Sequence, residues 1–159
     1  MGQHSDRDTI SQASIAAKAE GRNVILTNGA FDLLHVGHLR YLQGARALDE
    51  AALLVVAVNS DNSVRRAKGQ DRPIIPEEER AELVCALKGI DWVFIFDEDT
   101  VEQTIKVLRP TIHAKGTDYT ADTVPEKLIV EKYGGRVAIV GDPKNHSTTE
   151  LKKRLTGAG

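Results

Sequence analysis

The chain has 159 residues, 41% of them hydrophobic, and a formal net charge of −2 from 21 basic and 23 acidic side chains. That length fits one domain able to bury a core, and the mixed charge excludes the basic surface that general nucleic-acid binding needs. The single cysteine, Cys85, excludes an internal disulfide; no apolar run nears the roughly 20 residues of a membrane span, and the polar start MGQHSDRDTI has no secretory core, so a soluble cytoplasmic protein is expected.

In chain order, residues 1 to about 12 are polar and are expected to fray. A short helix over ISQASIAAKAEG, stopped by Gly21, completes an N-terminal extension of residues 1–20 ahead of a main domain at 21–159. NVILT (23–27) is an apolar run of strand length, and LRYLQGARAL carries Leu39, Leu42, Ala45 and Leu48 at helical spacing. LLVVAVNS (53–60) is apolar on both faces, as a buried parallel strand requires. IPEEERAELVCALKG reads as a helix, with Pro76 and three glutamates in its first turn and Gly89 at its end. DWVFIF (91–96) is a strand, DTVEQTIKVLRP a helix stopped by Pro110, and TIHA a short strand. DTVPEKLIVEKYGG is a helix ending in Gly134 and Gly135, RVAIV (136–140) a strand, and STTELKKRL begins the last helix. Alternating strands and helices predict an α/β, Rossmann-like, doubly wound parallel sheet of five strands with helices on both faces. Ligands bind such sheets at the carboxyl ends of the strands, near the switch point.

The stretch TNGAFDLLHVGH (27–38) lies at the end of the first predicted strand. Asn28 and Gly29 allow the backbone to bend closely around a bound group. His35 and His38 are spaced i, i+3 and so share a helix face, and Gly37 between them removes a side chain where a phosphate could approach. A helix N-terminus offers unpaired N–H groups and a positive dipole end. Two imidazoles there can donate to phosphate oxygens, one or both as cations. The alternatives are a capping or surface role, or metal ligation, for which no third ligand accompanies the pair at suitable spacing.

HVGH preceded by TNGAFDLL resembles the H-x-G-H signature of the nucleotidyltransferase (cytidylyltransferase-like) superfamily, and the resemblance runs from about residue 24 to 155. VAVNSD, KGQDRPI, ER, DWV, EDT, KGTDY and STT narrow it to the heptose 1-phosphate adenylyltransferases, enzymes that occur alone or joined to a sugar kinase, for which this length leaves no room. The resemblance implies transfer of AMP from ATP to D-glycero-β-D-manno-heptose 1-phosphate, with release of pyrophosphate, in lipopolysaccharide or surface-glycan synthesis. It implies catalytic roles for His35, His38 and Lys115. Binding roles fall to Thr27, Asn28, Gly29, Ala30, Phe31 and Gly37 at the first turn, to Lys68 and Arg72, to Gly116, Asp118 and Tyr119, and to Ser147, Thr148 and Thr149. Lys68 is expected in the loop after the second strand, and Lys115 just past the fourth. Magnesium is expected to be held mainly through substrate phosphates, with no metal ligands from the protein, and a homodimer is the family tendency.

Several of these residues have plain structural readings. Gly-Thr-Asp at 116–118 is ordinary turn chemistry. Arg80 can pair with phosphate or, more simply, with Glu77 to Glu79. Ser147 with Glu150 forms a capping box, leaving Thr148 and its backbone toward a ligand. The chain departs from the family at Asn145 and His146, where relatives often carry glycine and a small apolar residue, and His146 could add a phosphate contact. The end of the first helix, ALDEAAL, also lacks the usual glycine stop. Rival functions are a cytidylyltransferase acting on a polyol phosphate such as glycerol 3-phosphate and a nucleotide-binding regulatory module without turnover.

Overall fold

The computed structural model describes residues 1–143 and 147–157; Asn145 and His146 lie outside the described residues. Six parallel strands form one sheet: β1 (Gln3–His4), β2 (Val24–Gly29), β3 (Leu53–Asn59), β4 (Trp92–Phe96), β5 (Ile112–Lys115) and β6 (Arg136–Ile139). Their order is β1-β4-β3-β2-β5-β6. The helices are α1 (Arg7–Ala19), α2 (Val36–Ala47), α3 (Asp61–Lys68), α4 (Glu77–Cys85), α5 (Glu102–Leu108), α6 (Lys127–Lys132) and α7 (Thr148–Thr156). The chain runs outward from β2 through β3 to β4, then crosses back to β5 and continues to β6. The direction of winding therefore reverses between β2 and β5, and a crevice opens there at the strand carboxyl ends.

The doubly wound fold stands, with six strands where five were expected. The extra strand comes from the stretch expected to fray. Gln3 and His4 pair in register with Trp92 and Val93, completing the edge beside β4. Asp6 then caps α1, accepting the Thr9 N–H at 2.8 Å, so the helix begins at Arg7 rather than near Ile10. Polarity alone suggested fraying, but a two-residue strand needs only backbone pairing, which its side chains do not reveal.

Two apolar layers cover the sheet. Ile25, Leu54, Val56 and Val58 pack with Leu42 and Ala45 of α2 and with Ala81 and Val84 of α4. Val24, Leu26, Val55 and Ala57 face the other way, toward Ile10 and Ala17 of α1, Ile105 and Leu108 of α5 and Val130 of α6. This alternation along β2 and β3 is the period of two expected of strands buried on both faces. α1 belongs to this core, and Lys18 ties it to α5 by donating to the carbonyls of Leu108 and Arg109 at 2.9 and 3.2 Å.

α3 was not expected. Ser60 caps it by accepting the Ser63 N–H at 3.0 Å, and Lys68 is its last residue rather than a loop residue. The cap signal, Ser60 followed by Asp61 in the first turn, is present in NSDNS, but the helix spans only 8 residues and is too polar for an apolar period to show. No helix of the described residues is long and apolar enough to cross a membrane.

Candidate active site

A cleft of about 770 Å³ opens at the carboxyl ends of β2, β3, β5 and β6. It is lined by Asn28, Gly29, Ala30, Phe31, His35, Gly37 and His38 from the first turn, and by Lys68 and Arg72 on the β3 side. Lys115, Gly116, Asp118 and Tyr119 line it past β5, and Ser147, Thr148 and Thr149 at the start of α7. Sixteen of the seventeen residues nominated from sequence thus meet around one cavity. Thr27 does not. It is fully buried inside the sheet, with its hydroxyl toward the Val55 carbonyl at 3.5 Å. Two residues short of the strand end, its side chain falls on a covered face.

The first turn is built differently from its sequence reading. Its bend uses Phe31 at φ 52° and Leu33 at φ 49°, both in the left-handed region that non-glycine residues seldom adopt. Phe31 is held there by burial, its ring 5.4 Å edge-on from His38 and 6.4 Å from Tyr41. Gly29 ends β2, and its small size serves packing, because a Cβ there would stand 3.2 Å from the Phe31 ring. Beneath the turn lies Arg80, fully buried. Its guanidinium donates to the carbonyls of Ile75, Ala30 and Asn59 at 2.9, 2.6 and 2.8 Å and to Asp61 Oδ1 at 2.8 Å. Its ion pair is with Asp61 rather than with Glu77 to Glu79. It is a strut that ties the ends of β2 and β3 to α3 and α4.

The two histidines form the N-terminus of α2. His35 is the N-cap in extended conformation, and its Nδ1 accepts the Gly37 N–H at 3.1 Å. His38 Nδ1 accepts the His35 N–H at 3.4 Å, which makes a reciprocal capping box from two imidazoles. The rings stack with centroids 3.9 Å apart. With Nδ1 committed as acceptor in each neutral ring, the proton sits on Nε2, so each histidine is an Nε2–H donor beside the cleft. Burial, and then the neighbouring His35 and Lys68, push the His38 pKa from 6.5 down to about 4 against the opposing pull of Asp32. His38 is therefore neutral at pH 7 in the ligand-free protein, where the sequence reading allowed a cation. The capping reading therefore stands, and capping occupies only one nitrogen of each ring.

Lys115 ends β5 almost fully buried, and Nζ donates to Asn28 Oδ1 at 3.2 Å. Nζ also lies 4.9 Å from the Tyr119 ring centroid and 3.9 Å from Glu126 Oε2. Burial lowers its pKa, while Glu126 and Asp118 oppose that shift. Arg72 is buried at the cleft wall, its Nη1 3.7 Å from Asp32 Oδ2 and without a hydrogen-bond partner among the described residues. Lys68 is exposed on the same side. At α7, Ser147 caps the helix as expected, accepting the Glu150 N–H at 3.1 Å. The Thr148 hydroxyl turns to the Asp32 carbonyl at 2.5 Å instead of facing the cleft.

Sequence reasoning passed over Asp32. Its carboxylate accepts the N–H groups of Ile74 and Ile75 at 2.9 and 3.0 Å, and its carbonyl holds Thr148, so one residue joins three loops. An acid inside the apolar stretch AFDLL was the available signal. Tyr41, whose hydroxyl donates to the Ala114 carbonyl at 2.7 Å, was also missed.

The cleft offers donors and cations: two imidazole N–H groups, Lys115, Arg72, Lys68 and helix N-termini. Such a set suits a polyanion. Among the described residues no three His, Cys, Asp or Glu side chains are grouped to hold a metal ion. A magnesium ion fits this donor set only as the partner of bound phosphates.

The cytidylyltransferase-like family model matches residues 26–154. The bifunctional protein HldE of Geobacter sulfurreducens is 48% identical over 151 residues, covering 95% of this chain and 30% of the relative. That of Pelobacter propionicus is 49% identical over 150 residues, 94% of this chain and 30% of the relative. The chain thus spans about a third of the length of the curated relatives it matches. A crystal structure of the lipopolysaccharide core biosynthesis protein from Thermoplasma volcanium superposes with a TM-score of 0.64 at 28% identity, covering 77% of this chain and 98% of that one.

Proposed function

The chain belongs to the cytidylyltransferase-like family, and from that premise we propose that it is a sugar-phosphate nucleotidyltransferase that moves AMP from ATP to D-glycero-β-D-manno-heptose 1-phosphate, with the nominated cleft residues as its active site. The observation that carries this reading is the imidazole capping box at the start of α2, whose two histidines line the same cleft as Lys115 at the end of β5. The relatives named HldE and the lipopolysaccharide-core neighbour support the sugar branch.

In this reading an acceptor phosphate oxygen attacks the α-phosphorus, a new P–O bond forms, and the bond to the β-phosphate breaks to release pyrophosphate. The acceptor is already an anion, so no general base is required. The protein aligns the two phosphates in line and neutralises developing charge. His35 and His38 donate to oxygens that gain charge, and Lys115 supplies a fixed cation across the cleft from them. Arg72 and Lys68 line the β3 side, where a second phosphate can be held. Magnesium, brought with the triphosphate, contributes further charge neutralisation.

Pyrophosphate release separates the readings. ATP with the heptose 1-phosphate and Mg²⁺ should give the ADP-sugar and pyrophosphate, and CTP with glycerol 3-phosphate far less. The opposite preference would overturn the sugar and base assignment while leaving the roles of His35 and His38 intact. Release with no pair, despite nucleotide binding, would favour a regulatory module.

A further inference from the structure

Behind the cleft floor, two buried titratable groups that the transfer chemistry does not use, His113 and Glu126, adjoin Lys115. His113 and Lys115 are two residues apart on β5 and so project from the same face of the sheet. Both face Glu126, which precedes α6. Glu126 Oε2 is 3.7 Å from His113 Nε2 and 3.9 Å from Lys115 Nζ. His113 is fully buried, Glu126 is 6% exposed and Lys115 7%. His113 is held from its other side, where Nδ1 meets the Leu26 carbonyl at 3.2 Å; a carbonyl only accepts, so Nδ1 carries a proton.

We propose that Glu126, which does not line the cleft, is a positioning residue that keeps Lys115 cationic and aimed at the phosphates. This rests on the reading of Lys115 as a phosphate contact. Glu126 holds the N-cap position of α6, yet its side chain makes no capping bond, so helix capping does not explain it. Its Oε2 is buried with no hydrogen-bond partner among the described residues, as is His113 Nε2. A buried carboxylate is costly unless a charge compensates it, and Lys115 is the cation that reaches it.

The charge balance is consistent with this. Burial alone would raise the Glu126 carboxyl pKa, but His113 and Lys115 outweigh it and the net shift is downward. Burial dominates at Lys115 and lowers its pKa, and Glu126 and Asp118 limit the fall. The groups around this pair are Asn28 of β2, Tyr41 of α2, His113 of β5, and Asp118 and Tyr119 of the following loop. Asp118 is exposed, so Glu126 is the buried countercharge.

The test is a titration of the ligand-free protein labelled with ¹³C-lysine and ¹³C-glutamate. In folded Glu126→Gln, the Lys115 side-chain resonance should titrate about one pH unit lower than in wild type, as expected for loss of an opposite charge at this distance. The alkaline limb of kcat/KM should move by the same amount, so that activity on that limb falls about tenfold. Glu126→Asp, which keeps the charge, should hold the limb near the wild-type pH. The reciprocal variant Lys115→Met should raise the pH at which Glu126 titrates, and this serves if Glu126→Gln does not fold. An unmoved Lys115 titration in folded Glu126→Gln, or an unmoved Glu126 titration in Lys115→Met, overturns the proposal. Both resonances report without substrate, so a failure of the adenylyltransferase reading would leave this test interpretable.

Discussion

Two helix N-termini face the cleft, and they are finished differently. At α2 the capping side chains are imidazoles, each using one ring nitrogen for the backbone and presenting the other as a donor. At α7 the cap is an ordinary serine, and the next side chain, Thr148, is tied to the Asp32 carbonyl. A serine or threonine has one hydroxyl, and once it is spent on the fold only backbone N–H groups remain for a ligand. An imidazole has two nitrogens at opposite sides of a rigid ring and can do both. In the proposed reading the α2 terminus does the chemistry, and the α7 side chains serve the fold.

Substitution at the two ends should separate these roles. The largest effect is expected at His38. His38→Ala should lower kcat by about 10²–10³, the range for losing one preorganised donor, with the far-UV spectrum unchanged. Near-normal turnover in steady-state assays would remove the distinction between the two termini.

The same ring should mark the acid stability of the α2 end. Its folded-state pKa, about 4, lies below the unfolded value of 6.5. The unfolded chain therefore binds the proton first as pH falls. The stability tied to the neutral ring is fully present above pH 6.5 and is lost as pH drops toward 4. Urea midpoints compared at pH 7 and pH 4.5 should fall further in wild type than in His38→Ala. Bound nucleotide should move the His38 resonance to titrate at higher pH, because phosphate charge favours the imidazolium.

At α7 the expected effects are on stability. Thr148→Val removes a buried hydrogen bond and leaves the Asp32 carbonyl short of a donor, which should cost about 1–3 kcal/mol in denaturant unfolding. Ser147→Ala removes the N-cap and should cost about 0.5–2 kcal/mol, at the low end because this turn is partly exposed. If Ser147→Ala instead lowered kcat as much as His38→Ala, both termini would be chemical and the comparison would fail.

Local features were readable from the chain alone. The buried strands announce themselves because residues covered on both faces must be continuously apolar. The turn of His35, Gly37 and His38 was readable in sequence because its capping hydrogen bonds join residues two and three positions apart. Lys115 was legible for a related reason: the carboxyl end of a parallel strand is where ligands meet such sheets. The remaining features depended on contacts between distant segments. Asp32 meets residues 42 to 116 positions away, and Arg80 reaches back 50 positions to Ala30. Thr27 looked like part of the motif and is buried, because the register of β2 against β3, not the motif, decides which side chains leave the sheet. Gln3 and His4 became a strand only because β4 offered an edge. Backbone pairing and charge compensation are contacts between distant segments, and a linear pattern carries no record of which segments will meet.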